Sequence, residues 1–200
     1  MTELFVVPAT SERAVAALAD GARVVARSWG AGLGAGAVDH GRLEHAQQAV
    51  VDLVSLRELT SADVPVILAL DHDTRGHYPG SVATQHRPLT ADDASPSARR
   101  RGFGAFAGAE LVAMTFVDLE DTDAETDFTV VAASWRGRGL STAVKALSIS
   151  VLVAGGVQTF RTGGSSDNPA IIAANRNLGY VRDEEWLTLT QGEVDPHRHG

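Results

Sequence analysis

Trp135-Arg136-Gly137-Arg138-Gly139-Leu140-Ser141 stands between a strand-like run and a set of apolar residues, Leu140, Ala143, Val144, Leu147 and Val151, repeating at helical spacing. A strand-to-helix turn leaves the first N–H groups of its helix without intrahelical partners. Gly137 and Gly139 carry no Cβ, so a bulky anion can approach those groups, and the helix dipole favours negative charge there. Arg136 and Arg138 add positive charge at the same place, and Lys145 lies two turns along the helix. The turn reads as a cradle for a diphosphate. It lacks G-x-x-x-x-G-K-[ST], which excludes the nucleotide P-loop, and the strand before it closes an antiparallel meander where a dinucleotide fold would open a parallel βαβ unit.

Upstream, residues 101–106, 110–119 and 125–132 alternate as three strands, with turns at 107–108 and 121–124. Downstream, residues 157–162 read as a strand and 168–178 as a short helix. Asp167 or Asn168 caps that helix, Pro169 takes its first position and Gly179 lies just past its end. A last strand covers 186–190. Before the meander, a strand at 54–59 leads into a helix carrying Val64, Ile67, Leu68 and Leu70, with Pro65 in its first turn. Residues 71–100 read as a long connection. The first fifty residues give a strand at 4–7, a helix at 11–20 capped by Ser11, a strand at 23–29, a glycine-rich loop at 30–36 and a helix at 41–51. The lone G-x-G-x-x-A of Gly30, Gly32 and Ala35 reads as a flexible turn. This element order predicts an α/β (α+β) domain at 53–192, with a mixed, mainly antiparallel central sheet flanked by helices. Residues 1–52 form an N-terminal extension whose packing the sequence leaves open, and 193–200 a frayed tail.

Two hundred residues bury a core without staples, and the chain has no cysteine, which removes thiolate nucleophiles and Cys-ligated metal. A net charge of −8 opposes binding to nucleic acid or an anionic membrane and suits a cationic partner such as an amine. Glu3 stands where a signal peptide would carry a basic residue, and no apolar run reaches about 18 residues. A cytoplasmic protein is expected.

The segment from Arg136 to Ser141 resembles the Q/R-x-x-G-x-G/A motif of the GNAT acyltransferase superfamily, with Ser141 in place of Gly or Ala. Asp167-Asn-Pro-Ala-Ile-Ile-Ala-Ala-Asn-Arg-Asn-Leu-Gly-Tyr180 is similar to that family's "N-x-x-M/A…N-x-x-L-G-F" helix and following strand, in register with the first motif. The resemblance covers residues 125–180 in motif, extends over 53–124 in element order and does not reach 1–52. It implies acetyl-CoA as cosubstrate, with its diphosphate on Arg136, Gly137, Arg138, Gly139, Leu140 and Ser141. It also implies a splayed fourth and fifth strand, with the pantetheine arm bonding to backbone groups of Thr129, Val130 and Val131. Asn168 and Asn175 are implied contacts of the arm.

An attacking ammonium has an ordinary pKa near 10 and must lose a proton first, so a base should face the cleft. Glu125, eleven residues before Arg136, stands where relatives with a strand-borne glutamate place it, and Asp127 is the second candidate. Asn175 occupies the position where many relatives carry an acidic tyrosine, so protonation of the leaving thiolate falls to water or to no group at all. Asp71, His72, Asp73, His77, Tyr78 and His86 fall in the region where the resemblance puts the acceptor pocket. No metal is expected of them, or of His197 and His199. The reading is an N-acetyltransferase working by direct transfer to a primary amine, without a covalent enzyme intermediate. A catalytically silent acyl-CoA-binding sensor is the alternative, and a homodimer is left open.

Overall fold

The computed structural model describes residues 4–75 and 87–190, so His77, Tyr78, His86, His197 and His199 lie outside the described residues. In chain order the elements are β1 (Leu4–Pro8), α1 (Glu12–Ala19), β2 (Arg23–Gly34), α2 (His40–Gln48), β3 (Ser55–Glu58) and α3 (Val64–Thr74). They continue with β4 (Arg100–Ala107), β5 (Glu110–Glu120), β6 (Asp123–Val131), α4 (Leu140–Ala154), β7 (Thr159–Ser165), α5 (Pro169–Asn177) and β8 (Val181–Thr190). Together the strands make one eight-stranded sheet of order β1-β8-β2-β7-β6-β5-β4-β3, mixed and mainly antiparallel as the alternating runs predict.

Apolar side chains leave this sheet on both faces. Trp29, Ala31 and Leu33 of β2 and Phe160 of β7 pack with Ile149 and Leu152 of α4, Leu43 of α2 and Leu178 at the end of α5. On the other face, Ile67 and Leu70 of α3 pack on Phe106, Met114, Phe116 and Phe128. Helix α3 starts where Thr60 and Asp63 satisfy each other's backbone donors, and Pro65 lies in its first turn. It runs to Thr74, further than the sequence reading gave, because Asp71 is 1% exposed and accepts from Arg75 (3.2 Å) and from the N–H of Leu89 (3.3 Å).

The glycine-rich run at 30–36 is not a loop through most of its length, since β2 continues to Gly34. Trp29, Ala31 and Leu33 alternate inward, and the glycines between them face Arg161 of β7. A Cβ on Gly32 would lie 2.8 Å from the Arg161 guanidinium, which crosses β2 to reach Asp183 and Glu184 of β8. A Cβ on Gly163 would lie 2.8 Å from the carbonyl oxygen of Trp29. Close strand approach, rather than turning, is what these glycines supply. By this route residues 4–52, whose packing the sequence left open, enter the sheet, with β2 between β7 and β8.

Among the described residues, strands β6 and β7 are the one parallel pair, joined only at Asp123–Thr159, Ala124–Phe160 and Glu125–Arg161. Just beyond, the β5–β6 register slips: Val117 opposes Thr126 and Phe116 opposes Phe128, leaving Asp127 as a bulge. Ala124 lies in the α4-side core and Phe128 in the α3-side core, although regular alternation would put residues four apart on one face. The bulge accounts for the change of phase.

Gly163→Ala should lower stability by about 1–3 kcal/mol, because the obstacle is backbone. Gly34→Ala, with open space around it and an ordinary extended backbone, should change it by no more than about 0.5 kcal/mol in urea unfolding.

Candidate active site

After β6 the chain makes a short 3-10 turn, Ala133–Trp135, and passes through two left-handed glycines, Gly137 (φ +74°) and Gly139 (φ +81°). Gly139 is the N-cap of α4, and no side chain caps that helix. A Cβ on Gly137 would meet nothing within 4 Å, and one on Gly139 only Val50 at 3.9 Å. These glycines are therefore required by backbone conformation and leave the helix start open. Leu140 is buried with Ala143 and Val144 and pins the turn to the core, so what it offers an anion is its N–H. Ser141 is half-buried on the first helical turn.

Both arginines fold back onto the turn. Arg136 donates from Nε to the carbonyl of Val131 (3.3 Å), while Arg138 donates to the carbonyl of Ser134 (3.3 Å) and lies 4.8 Å from the Trp135 ring centre. A groove of about 760 Å³ opens beside Gly139, between α2, the start of α4 and the end of α5.

On β6, Thr129, Val130 and Val131 pair with Thr115, Met114 and Ala113 of β5, and lie beyond the last residue joined to β7. The Thr129 and Thr115 hydroxyls are 2.8 Å apart. Val130 belongs to the α3-side core.

The two candidate bases have unlike surroundings. Asp127 receives Arg100 at 2.6 Å, and Arg100 also holds Asp118 (2.7 Å), donates to the Asp93 carbonyl (2.9 Å) and lies over the Phe116 ring. Asp127 is thus tied to β4 by an ion pair that Glu125 lacks. Glu125 is exposed at the last β6–β7 pair, beside Arg161, whose guanidinium is engaged by Asp183 and Glu184. Of the connection candidates, Asp71 is a buried anchor, and exposed His72 and Asp73 face each other at 3.3 Å.

Asn168 caps α5, its Oδ1 accepting from the N–H of Ile171 at 3.2 Å. Asn175 is 2% exposed, and neither its Oδ1 nor its Nδ2 has a hydrogen-bond partner. Lys145 corrects the sequence reading: it is not part of the anion turn. It is 1% exposed, donates to Thr162 Oγ1 (2.8 Å) and lies 5.3 Å from the Tyr180 ring centre. Burial alone lowers its pKa to about 7. The signal that could have found it is helical phase, since it precedes buried Ile149 by four residues and Leu152 by seven.

The groups present fit the cosubstrate that the sequence motif implies. They provide an open helix start behind two Cβ-free residues, a strand pair that parts beside it, and an orphaned amide on α5. Among the described residues, no group of three or more His, Cys, Asp or Glu is placed to hold a metal ion, and no helix is long and apolar enough to cross a membrane.

No protein-family model and no curated protein matches the chain. Solved structures do. A GCN5-related N-acetyltransferase from Sphaerobacter thermophilus superposes with a TM-score of 0.72 at 14% identity, over 95% of this chain and 59% of its own. One from Kribbella flavida gives 0.61 at 16%, over 90% and 65%. The ribosomal-protein alanine N-acetyltransferase from Escherichia coli gives 0.53 at 14%, over 74% and 99%. The chain has the GCN5-related N-acetyltransferase fold, and it spans about three fifths of the Sphaerobacter protein.

A base whose folded pKa lies below its unfolded value destabilises the fold while charged. The penalty from Lys145 should thus be full below about pH 7 and fade as pH rises toward the ordinary lysine value near 10, at about 1.4 kcal/mol per unit of difference. Urea unfolding of the parent should show stability gained across that window relative to Lys145→Met.

Proposed function

We propose that the protein is an N-acetyltransferase that moves an acetyl group from acetyl-CoA to a primary amine by direct attack in a ternary complex. The observation that carries this reading is the uncapped start of α4 behind left-handed Gly137 and Gly139, set beside the parting of β6 and β7. The N–H groups of that turn bind the diphosphate. Backbone groups at Thr129, Val130 and Val131 take the pantetheine arm as an added strand, and an N–H among them holds the developing oxyanion. Arg136 and Arg138 brace the turn and raise the local potential on an acidic chain. Glu125 takes the proton of the attacking amine, directly or through water, while Asp127 keeps the bulge in place through Arg100.

A CoA-binding module without turnover is the second reading, favoured by Asn175 standing where an acidic side chain is implied. A panel of amines incubated with acetyl-CoA, with free thiol followed, separates the two. Thiol released with one class of amine supports the enzyme, and release with none supports the module. With the responsive amine, Glu125→Gln should lower turnover by about 100-fold or more and leave CoA affinity unchanged.

Gly139→Asp puts a carboxylate into the cradle and a side chain into a left-handed backbone. Calorimetric titration should show CoA affinity reduced by about tenfold or more, and titrations identical to the parent's would remove the basis of both readings.

A further inference from the structure

Lys145 has no part in the reaction described above, and its setting is costly. It is buried in α4 with no acidic partner, and a lysine in that state is less stable than an aliphatic side chain of similar volume. Its single hydrogen bond runs to Thr162 Oγ1 at 2.8 Å. Thr162 follows Arg161, the last β7 residue joined to β6. Thr126, which meets the hydroxyl of Tyr180, follows Glu125, the last β6 residue joined to β7. The polar end of the lysine therefore reaches the apex of the split.

Asn175 on α5 is tied to the same tyrosine, its backbone carbonyl accepting from the Tyr180 N–H at 3.1 Å. Its side-chain amide is buried with both ends unmet, a desolvation cost that a bound ligand would relieve. Thr162 of β7 and Tyr180 beyond α5 are the groups that meet the Lys145 ammonium. No carboxylate or guanidinium shifts its protonation from α2, α5 or the sheet.

We infer that Lys145, acting through the Thr162 hydroxyl, supplies the proton taken by the leaving sulfur, and that Asn175 holds the thiol end of the cosubstrate against that hydroxyl. This rests on the acyl-transfer reading. The acceptor nitrogen bonds to the acyl carbon, the C–S bond breaks and sulfur leaves with the electron pair. The Thr162 hydroxyl gives its proton to sulfur and is refilled from the Lys145 ammonium, which becomes a neutral amine. The proton lost by the acceptor nitrogen goes to Glu125 or water, and Lys145 regains one from solvent after the thiol departs. Thioester and amine have then become amide and thiol. With burial holding Lys145 near pH 7, it exchanges protons readily at neutral pH.

The test reads bound CoA and needs no acceptor. The ultraviolet absorbance of the thiolate is titrated against pH with CoA saturating the parent, Lys145→Met and Thr162→Val. In the parent, the thiolate midpoint should lie roughly half a pH unit or more below that in Lys145→Met, because the neutral amine accepts the thiol proton through Thr162, and Thr162→Val should move it upward as well. A purely structural lysine would not move this signal. Thr162→Val keeps the lysine and removes only the hydroxyl, so it gives the answer if Lys145→Met fails to fold. Coinciding midpoints in the parent and every folded variant overturn the relay and leave acyl transfer standing. Failure of the parent to bind CoA overturns both.

Discussion

Beyond Glu125 and Arg161, β6 and β7 share no further backbone pairs, and the rest of the site is arranged around that separation. Two parallel strands in a continuous sheet would ordinarily zip along their length. Here the extra residue at Asp127 bends β6 and changes which side chains face which core. Arg100 stabilises the irregularity from β4, gathering Asp127 and Asp118 while lying over Phe116. An acidic cluster that would otherwise repel itself is thereby knitted to the α3-side core.

The same separation explains why polar residues occupy the interior beneath it. Thr126, Thr162, Lys145, Asn175 and Tyr180 sit where strands or helices would normally close on aliphatic side chains. Among them the Asn175 amide, with both ends unmet, is the kind of local inconsistency that folds keep at working surfaces. The anion turn shows the complementary arrangement. Its arginines spend hydrogen bonds on the carbonyls of Val131 and Ser134, so the positive potential is fixed in place before any ligand arrives.

What the sequence made legible was local. The two-glycine turn, the Asn168-Pro169 start of α5 and the Ser11 cap depend on residues within one helical turn of each other, and they appear as expected. What it concealed depends on partners far along the chain. Gly30 and Gly32 look like loop formers until Arg161 is seen lying across them. The ion pair of Asp127 with Arg100, a neighbour only through the sheet, has no signal in the sequence. Lys145 looks like a further cation of the anion turn until its helical phase, shared with Ile149 and Leu152, is seen to bury it. The bulge has no composition signal at all, since it is a matter of register between β5 and β6.

The position of β2 also bears on how the chain is made. It leaves the ribosome well before its two hydrogen-bonded neighbours, β7 and β8: Ala31 waits for Thr162 and Arg182. Until then its apolar face, Trp29, Ala31 and Leu33, has no sheet to join, and the central slot of that half of the sheet stays unfilled. Such long-range closure makes folding slow and leaves an unpaired strand exposed to neighbouring chains during translation. Glycines along that strand, poor in β-propensity, temper its stickiness in the interval and then admit Arg161 once the sheet is complete.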